Sequence, residues 1–309
     1  MWSGLKIVLP LVLIVLLGSA LKRCGFFGDK DRERMISLLY WVVLPCLLFR
    51  GMYLSGSMLP TGWNIFPATY LPFLLVPALA LLVARARGGD RRRLALCAMS
   101  SARANSVYLG LPAAFLAMGE SGQAAASIYI AVMLPGYNLL TILWGEAVLS
   151  GALSRQAVVR TFHRLVRNPL VASCLLGLAF SLLEIPVHDA LLIAMKMVGD
   201  MAVALALFSL GLGVSFSNIG FALLRTWPDV LIKLVVHPAL ALLCFAVWPV
   251  QDEIARAAAL LCAMPTAINT FILAEGMGME GDYMSDIITV STAAAAISIP
   301  MWLVILGIG

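Results

Sequence analysis

Apolar stretches long enough to cross a lipid bilayer dominate this chain of 309 residues. A membrane-spanning helix needs roughly 20 apolar residues. Runs of this kind lie near 5–21, 35–54, 66–84, 94–117, 124–149, 168–184, 190–214, 229–249, 256–275 and 285–308. Hydrophobic residues make up 62% of the chain and charged residues 12%, against about 45–50% and about 25% in soluble domains. We therefore expect an all-α integral membrane protein with ten transmembrane helices and no soluble domain.

The distribution of Lys and Arg predicts the orientation of these helices. The loops between helices 1 and 2, 3 and 4, and 5 and 6 are each rich in Lys and Arg, and the loop between helices 7 and 8 contains Arg225. The alternate loops are poor in them, with Arg256 as the clear exception. Positively charged loops stay in the cytoplasm. We therefore expect a multi-pass protein of the cell membrane, with both termini on the non-cytoplasmic side.

A short internal repeat predicts how the helices are organised. The tetrapeptide Leu-Cys-Ala-Met occurs at 96–99, shortly before Asn105, and again at 261–264, shortly before Asn269. The two copies fall in the fourth and ninth apolar runs, five helices apart. Because five is odd, the second copy enters the membrane from the opposite side, as in the inverted repeats of secondary transporters. We expect one repeat at 1–150, a basic cytoplasmic linker at 151–167 and the second repeat at 168–309.

Polar residues and helix breakers inside these two runs mark the candidate binding site. Asn105 and Asn269 are costly at mid-membrane unless they are hydrogen-bonded, and Pro265 removes a backbone donor. Such segments suit broken helices, and half-helix N-termini attract a carboxylate. We predict that both Asn residues, with Ser106, Thr270 and Pro265, form the substrate-binding site. The alternative is that the Asn side chains only join helices together.

Other polar residues are further candidates for the site. Arg103 either binds a substrate carboxylate through its planar fork or extends towards the basic cytoplasmic loop. Tyr137 and Asn138 follow Pro135 in helix 5 and are candidates to line the same cavity. Asp200 lies four residues after Lys196, so an ion pair is expected, with Asp200 as a second-choice site for a coupling proton. We expect no metal site, because no metal-binding spacing of Cys or His occurs.

The motifs themselves resemble those of the auxin efflux carrier family, within the wider group of bile acid and auxin carriers. Asn-Ser-Val-Tyr-Leu-Gly-Leu-Pro at 105–112, followed by Gly-Glu-Ser-Gly at 119–122, is similar to the family's helix-4 signature. Met-Pro-Thr-Ala-Ile-Asn at 264–269, with Ser-Thr at 291–292 and Pro-Met-Trp-Leu at 300–303, resembles its C-terminal signature. Gly-Asp at 199–200 and the run 207–211 resemble its helix-7 pattern. The similarity spans most of the chain.

This resemblance implies ten helices in a five-plus-five inverted repeat, with helices 4 and 9 broken and crossing. It places Asn105 and Asn269 at the substrate-contacting Asn positions. The family's members include plant auxin exporters and bacterial permeases for malonate, malate and related carboxylates. Because related carriers are often dimers, the resemblance also implies a homodimer. The chain departs from the pattern at Ser106-Val107, where Thr-Gly is common, at Ala204, where Pro is common, and at Arg103.

Residues and resemblance together predict a secondary transporter of a small organic anion, such as a mono- or dicarboxylate, working by alternating access. Export down the membrane potential needs no coupling ion, whereas uptake needs Na⁺ or H⁺. We expect no cofactor and no nucleic-acid partner beside the bilayer and the substrate. The alternatives are an ion-coupled symporter of a larger, bile-acid-like amphipathic anion and an intramembrane enzyme. No hydrolase, metalloprotease or nucleotide-binding motif favours the enzyme.

Replacing either candidate Asn with Ala tests whether these residues bind the substrate. We expect Asn105→Ala and Asn269→Ala each to weaken substrate binding by about 1–3 kcal/mol, because each removes hydrogen bonds to a charged ligand. Equilibrium binding to the purified, folded variants measures the loss. Unchanged transport by a correctly inserted double variant would contradict the assignment.

Overall fold

The computed structural model describes residues 2–55, 62–151, 167–213 and 219–308. The described part is almost entirely helical. Its first half contains the helices α1 (Trp2–Arg23), α2 (Asp29–Leu38), α3 (Leu44–Ser55), α4 (Ile65–Ala86), α5 (Arg91–Ala102) and α6 (Leu111–Ser150). Its second half contains α7 (Pro169–Leu182), α8 (Asp189–Gly213), α9 (Ile219–Leu231), α10 (His237–Val247), α11 (Asp252–Cys262), α12 (Asn269–Gly276) and α13 (Gly281–Ile305).

Six helical stretches of the described chain are long and apolar enough to cross a membrane. They are Asp29–Leu54, Ile65–Ala86, Ser106–Ser150, Asp189–Gly213, Ile219–Val247 and Gly281–Ile305. This confirms an α-helical, multi-pass membrane protein. The count of ten spans and the division into two repeats stay predictions, and most of the proposed linker at 151–167 lies outside the described residues.

Several apolar runs are interrupted rather than continuous. The fourth run, near 94–117, loses helical geometry between Ala102 and Ser106, and the ninth, near 256–275, between Cys262 and Asn269. Inside α6, Gly119 has φ 70° and ψ −154°, so it divides this element into two helical parts. Glycine tolerates this left-handed φ because it has no Cβ. Three π-helical turns, Leu39–Val43, Ser106–Gly110 and Ile232–Val236, link neighbouring α-helices.

Glycines allow the closest helix contacts. Helix α1 packs against α8 where Gly18 and Gly211 face the partner backbone, and a Cβ on Gly211 would collide with the carbonyl oxygen of Val15. Helix α3 packs against α7 in the same way, because a Cβ on Gly177 would collide with the carbonyl oxygen of Phe49. Small residues of this kind let membrane helices approach and pack without voids.

A charged network joins α4, α5, α9 and α13 at the end where the basic residues lie. The hydroxyl of Tyr283 donates to the buried carboxylate of Asp229 at 2.6 Å. The guanidinium groups of Arg93 and Arg225 lie 4.1 Å and 4.9 Å from the centre of the Tyr283 ring. Arg87 pairs with Asp229 at 3.7 Å. The buried carboxylate of Asp229 therefore has both an opposite charge and a hydroxyl donor beside it.

A methyl group at the crossing of α1 and α8 tests the packing. We expect Gly211→Ala to lower the free energy of unfolding by about 1–3 kcal/mol, because the helices must separate to admit the Cβ. Thermal unfolding in detergent measures the change. Gly220→Ala is the matched control, since nothing lies within 4 Å of a Cβ at this helical position. Equal stability of the two variants would contradict the close contact.

Candidate functional site

Two non-helical segments, 103–105 and 263–268, meet inside the protein. Asn105 N–H donates to the carbonyl of Pro265 at 2.8 Å, and Ala267 N–H donates to the carbonyl of Arg103 at 2.9 Å. These two hydrogen bonds form an isolated antiparallel bridge between Ala104 and Thr266. The ends of helices α5 and α11 are therefore held against each other by backbone bonds, and each break supplies one donor and one acceptor to the other.

Carbonyl groups at the carboxyl end of α11 accept hydrogen bonds from the following backbone and from Ser106. Ala263 N–H donates to the carbonyls of Ala259 and Leu260. Met264 N–H and the hydroxyl of Ser106 donate to the carbonyl of Leu261, each at 3.3 Å. The sequence-predicted Ser106 thus contacts a helix end in this structure. The following turn approaches closely because of Gly110, whose Cβ would lie 3.0 Å from the Leu261 side chain.

Arg103 occupies the centre of this meeting point. Its side chain is 1% exposed. It donates from Nε to the Thr270 hydroxyl at 3.2 Å and from Nη1 to the Thr141 hydroxyl at 2.8 Å. From Nη2 it donates to Oδ1 of Asn269 at 3.4 Å. The guanidinium is therefore buried among neutral acceptors and does not extend to the basic loop.

The ring of Tyr137 covers one face of Arg103. The guanidinium carbon lies 4.6 Å from the ring centre, within the range of a cation–π contact. Thr141 lies one turn further along α6 and donates its hydroxyl to the carbonyl of Tyr137 at 2.6 Å. Within the described residues, no Asp or Glu forms an ion pair with Arg103. The positive charge of Arg103 thus has no negative partner among them.

The two predicted Asn residues lie in different surroundings. Asn105 is 4% exposed, and its backbone forms the bridge. Asn269 begins α12, is exposed, and accepts from Arg103. The structure therefore brings together Arg103, Asn269, Thr270 and Tyr137, with Asn105, Ser106 and Pro265 in the adjoining backbone. The side chain of Asn138 lies outside the described residues.

Asp200 lies apart from this cluster. Its carboxylate pairs with Lys196 at 3.1 Å, as expected, and both side chains are largely exposed. They line a cavity of about 150 Å³ together with Leu111, Phe115 and Gln123. A larger cavity, of about 310 Å³, lies beside Asp252 and Arg256. Neither cavity is lined by Arg103 or Asn269 in this structure.

Sequence reasoning missed two polar residues close to the breaks. Thr141 follows Tyr137 by four residues, so helical spacing alone places both on one face of α6. Lys233 is fully buried, and its ammonium donates to the carbonyl of Cys262 at 2.7 Å. A single Lys inside the apolar run 229–249 was the signal, because an ionisable residue at membrane depth needs a partner.

Known proteins similar to this chain are membrane transporters. A family model described as "Membrane transport protein" matches residues 3–151 and 152–303. The chain belongs to this family, that of the auxin efflux carriers, as the sequence motifs predicted.

Individual relatives resemble the chain along nearly its whole length. An "Uncharacterized transporter" of Methanothermobacter thermautotrophicus is 27% identical over 300 residues, which cover 97% of this chain and 97% of the relative. A "Putative malonate transporter" of Rhizobium meliloti is 23% identical over 296 residues, which cover 93% and 90% respectively.

Removing one donor of the backbone bridge tests how firmly it holds the site. We expect Ala267→Pro to destabilise the protein by about 1–3 kcal/mol, because the buried carbonyl of Arg103 loses its donor. Ala267→Ser keeps the N–H and serves as the control. Thermal unfolding of both purified variants measures the difference. If the Pro variant were as stable as the Ser variant, the bridge would not be a structural constraint.

Proposed function

We propose that this protein is a secondary transporter that carries a small organic anion, a mono- or dicarboxylate, across the cell membrane by alternating access. The observation that carries the proposal is the buried, positively charged Arg103, which has no carboxylate partner among the described residues. A buried charge without a counter-charge is costly. A carboxylate substrate supplies the missing charge while it is bound.

The donor set around Arg103 fits a carboxylate. A guanidinium has five N–H donors in a planar fork, and the described bonds occupy Nε, Nη1 and Nη2 once each, leaving two N–H groups. The acceptors that it uses are neutral hydroxyl and amide oxygens, which form weaker bonds than a carboxylate does. A substrate that displaces Asn269 from Nη2 therefore exchanges a weak contact of 3.4 Å for a charge-assisted one.

Asn269 connects the buried Arg103 with the exposed surface of the structure. This side chain is exposed, although its partner Arg103 is buried. We infer that Asn269 meets the substrate first and that its amide then binds the same anion as the guanidinium. Thr270 and Thr141 hold the guanidinium in place, and Tyr137 covers its face. A dicarboxylate suits this arrangement, with one carboxylate at Arg103 and the other at the side-chain amide of Asn105, because the hydroxyl of Ser106 already donates to the carbonyl of Leu261.

The relative with a malonate-related name supports the dicarboxylate class. Its similarity to this chain covers both segments that meet at the site, since it extends over 93% of the chain. Malonate is small and has two carboxylates, one for the guanidinium of Arg103 and one for the side-chain amide of Asn105. We therefore take malonate as the first substrate to test, ahead of malate and indole-3-acetate.

The proposed architecture is ten helices in two inverted repeats of five, with broken helices crossing at 103–105 and 263–268. Support comes from the repeated tetrapeptide and from the bridge that joins the two breaks. We place both termini outside the cell, and we propose a homodimer on the family resemblance alone. Asp200 is the candidate for a coupling proton, although its exposed pair with Lys196 favours a structural role.

Counterflow into proteoliposomes tests the function. We expect saturable exchange of labelled malonate or malate by the wild-type protein, with Na⁺ and pH gradients as separate conditions. Arg103→Gln is expected to weaken the apparent affinity by about tenfold or more, since a hydrogen bond to a charged group contributes about 1.5–3 kcal/mol.

The matched control for this experiment is Arg92→Gln, which removes an exposed Arg from the same helix, α5. It is expected to leave the exchange unchanged. Equal affinity of Arg103→Gln and wild type would contradict the site. No exchange of malonate, malate or indole-3-acetate by folded wild-type protein would contradict the substrate class.

A further inference from the structure

A second buried cation lies behind the backbone bridge, at Lys233. This residue belongs to the π-helical turn Ile232–Val236 and is 0% exposed. Its Nζ lies 2.7 Å from the carbonyl oxygen of Cys262 and 3.0 Å from Nδ1 of His237. In the part of the chain that the structure describes, no carboxylate pairs with Lys233.

The carbonyl that Lys233 contacts closes helix α11. Cys262 is the last residue of this helix. The carboxyl end of a helix carries a partial negative charge from carbonyls that have no partner within the helix. Backbone N–H groups and Ser106 take the other carbonyls of this last turn. The Nζ group of Lys233 takes the remaining one, at the end of a helix that stops inside the protein.

The surroundings hold this ammonium in position. The indole of Trp302 donates to the carbonyl of Leu234 at 2.8 Å, which fixes the π-helical turn. The lone pair of His237 Nδ1 accepts from Lys233 when the imidazole is neutral, and the ring of Phe73 packs against the imidazole at 5.7 Å. Lys233 therefore has two neutral acceptors in a fixed geometry.

We propose that the Lys233 ammonium is a built-in cation of the transport site, which neutralises the end of α11 through its hydrogen bond to the carbonyl of Cys262. The inference rests on the proposed function, to which it adds a mode of coupling: the anion moves without a bound Na⁺. It also assigns a latent ligand site. When the side chain is shortened, the vacated space and the Cys262 carbonyl form a site for a small primary alkylammonium ion.

Chemical rescue tests this proposal. Lys233→Ala removes the ammonium and leaves a cavity, whereas Lys233→Met removes the charge but fills the space. Engineered cavities can bind small molecules that match them in shape. We expect both variants to lose about tenfold or more of the malonate counterflow rate. Propylammonium chloride, added at constant ionic strength and pH, should restore the rate and the melting temperature of Lys233→Ala only.

Three comparisons make the result specific. Tetramethylammonium chloride has no N–H to donate to the Cys262 carbonyl and should not restore Lys233→Ala. Lys22→Ala, which removes an exposed Lys that pairs with Asp29 at 2.6 Å, should behave as wild type with and without amine. Wild-type counterflow should be the same in Na⁺ and in K⁺ buffers.

Each contrary result overturns the proposal. Wild-type counterflow that requires Na⁺ contradicts a built-in cation, and so does full activity of folded Lys233→Met. Failure of propylammonium to stabilise folded Lys233→Ala contradicts the latent site. The thermal measurement needs no substrate. Amine rescue of stability alongside absent wild-type exchange would therefore refute the proposed function and leave the cation site supported.

Discussion

The structure depends on two backbone hydrogen bonds, from Asn105 to Pro265 and from Ala267 to Arg103. A helix that stops inside a membrane protein exposes backbone groups that lipid cannot satisfy. Here each interrupted run supplies one backbone donor and one acceptor to the other, which helps α5 and α11 to end in the interior. Because these helices end there, their polar termini and the Arg103 side chain lie among apolar helices rather than at a surface. The candidate site is a consequence of this bridge.

Two buried cations flank the bridge, and a row of rings connects them. Arg103 lies under Tyr137, whose ring centre is 5.8 Å from that of Phe73. Phe73 in turn contacts His237, the partner of Lys233. The roles that we assign to the two cations differ with their surroundings. Arg103 adjoins the exposed Asn269 and is available to a ligand, whereas Lys233 is enclosed and is bonded to a helix end.

Much of the fold was predictable because lipid imposes a strict rule on sequence. Spans of apolar residues are required wherever a helix crosses the bilayer, so the helical membrane class follows from hydropathy. The motifs around Asn105 and Asn269 were sufficient to predict the family. Pro265 and the polar residues near Asn105 also fall where the helical geometry of the fourth and ninth apolar runs is interrupted.

The remaining details depend on which helices become neighbours. The burial of Arg103 arises from contacts with Thr141 and Thr270, which lie 38 and 167 residues away in the sequence. The role that we assign to Lys233 depends on its contact with the carbonyl of Cys262, which lies 29 residues later in the sequence. No local sequence pattern shows that residues so far apart along the chain come into contact. Sequence reasoning left two alternatives for Arg103, and packing decides against the one in which the side chain extends to the basic loop.

The distance between the substrate and Arg103 tests the central claim most directly. Solid-state NMR of the protein in lipid, with ¹³C-carboxyl malonate and ¹⁵N-guanidinium arginine, measures this distance through dipolar dephasing. Arg103→Gln identifies which arginine is responsible for the signal. The account predicts a contact compatible with an N···O hydrogen bond of about 2.7–2.9 Å, abolished in this variant. Saturable malonate binding with no such contact, or with a contact that persists in Arg103→Gln, would contradict it.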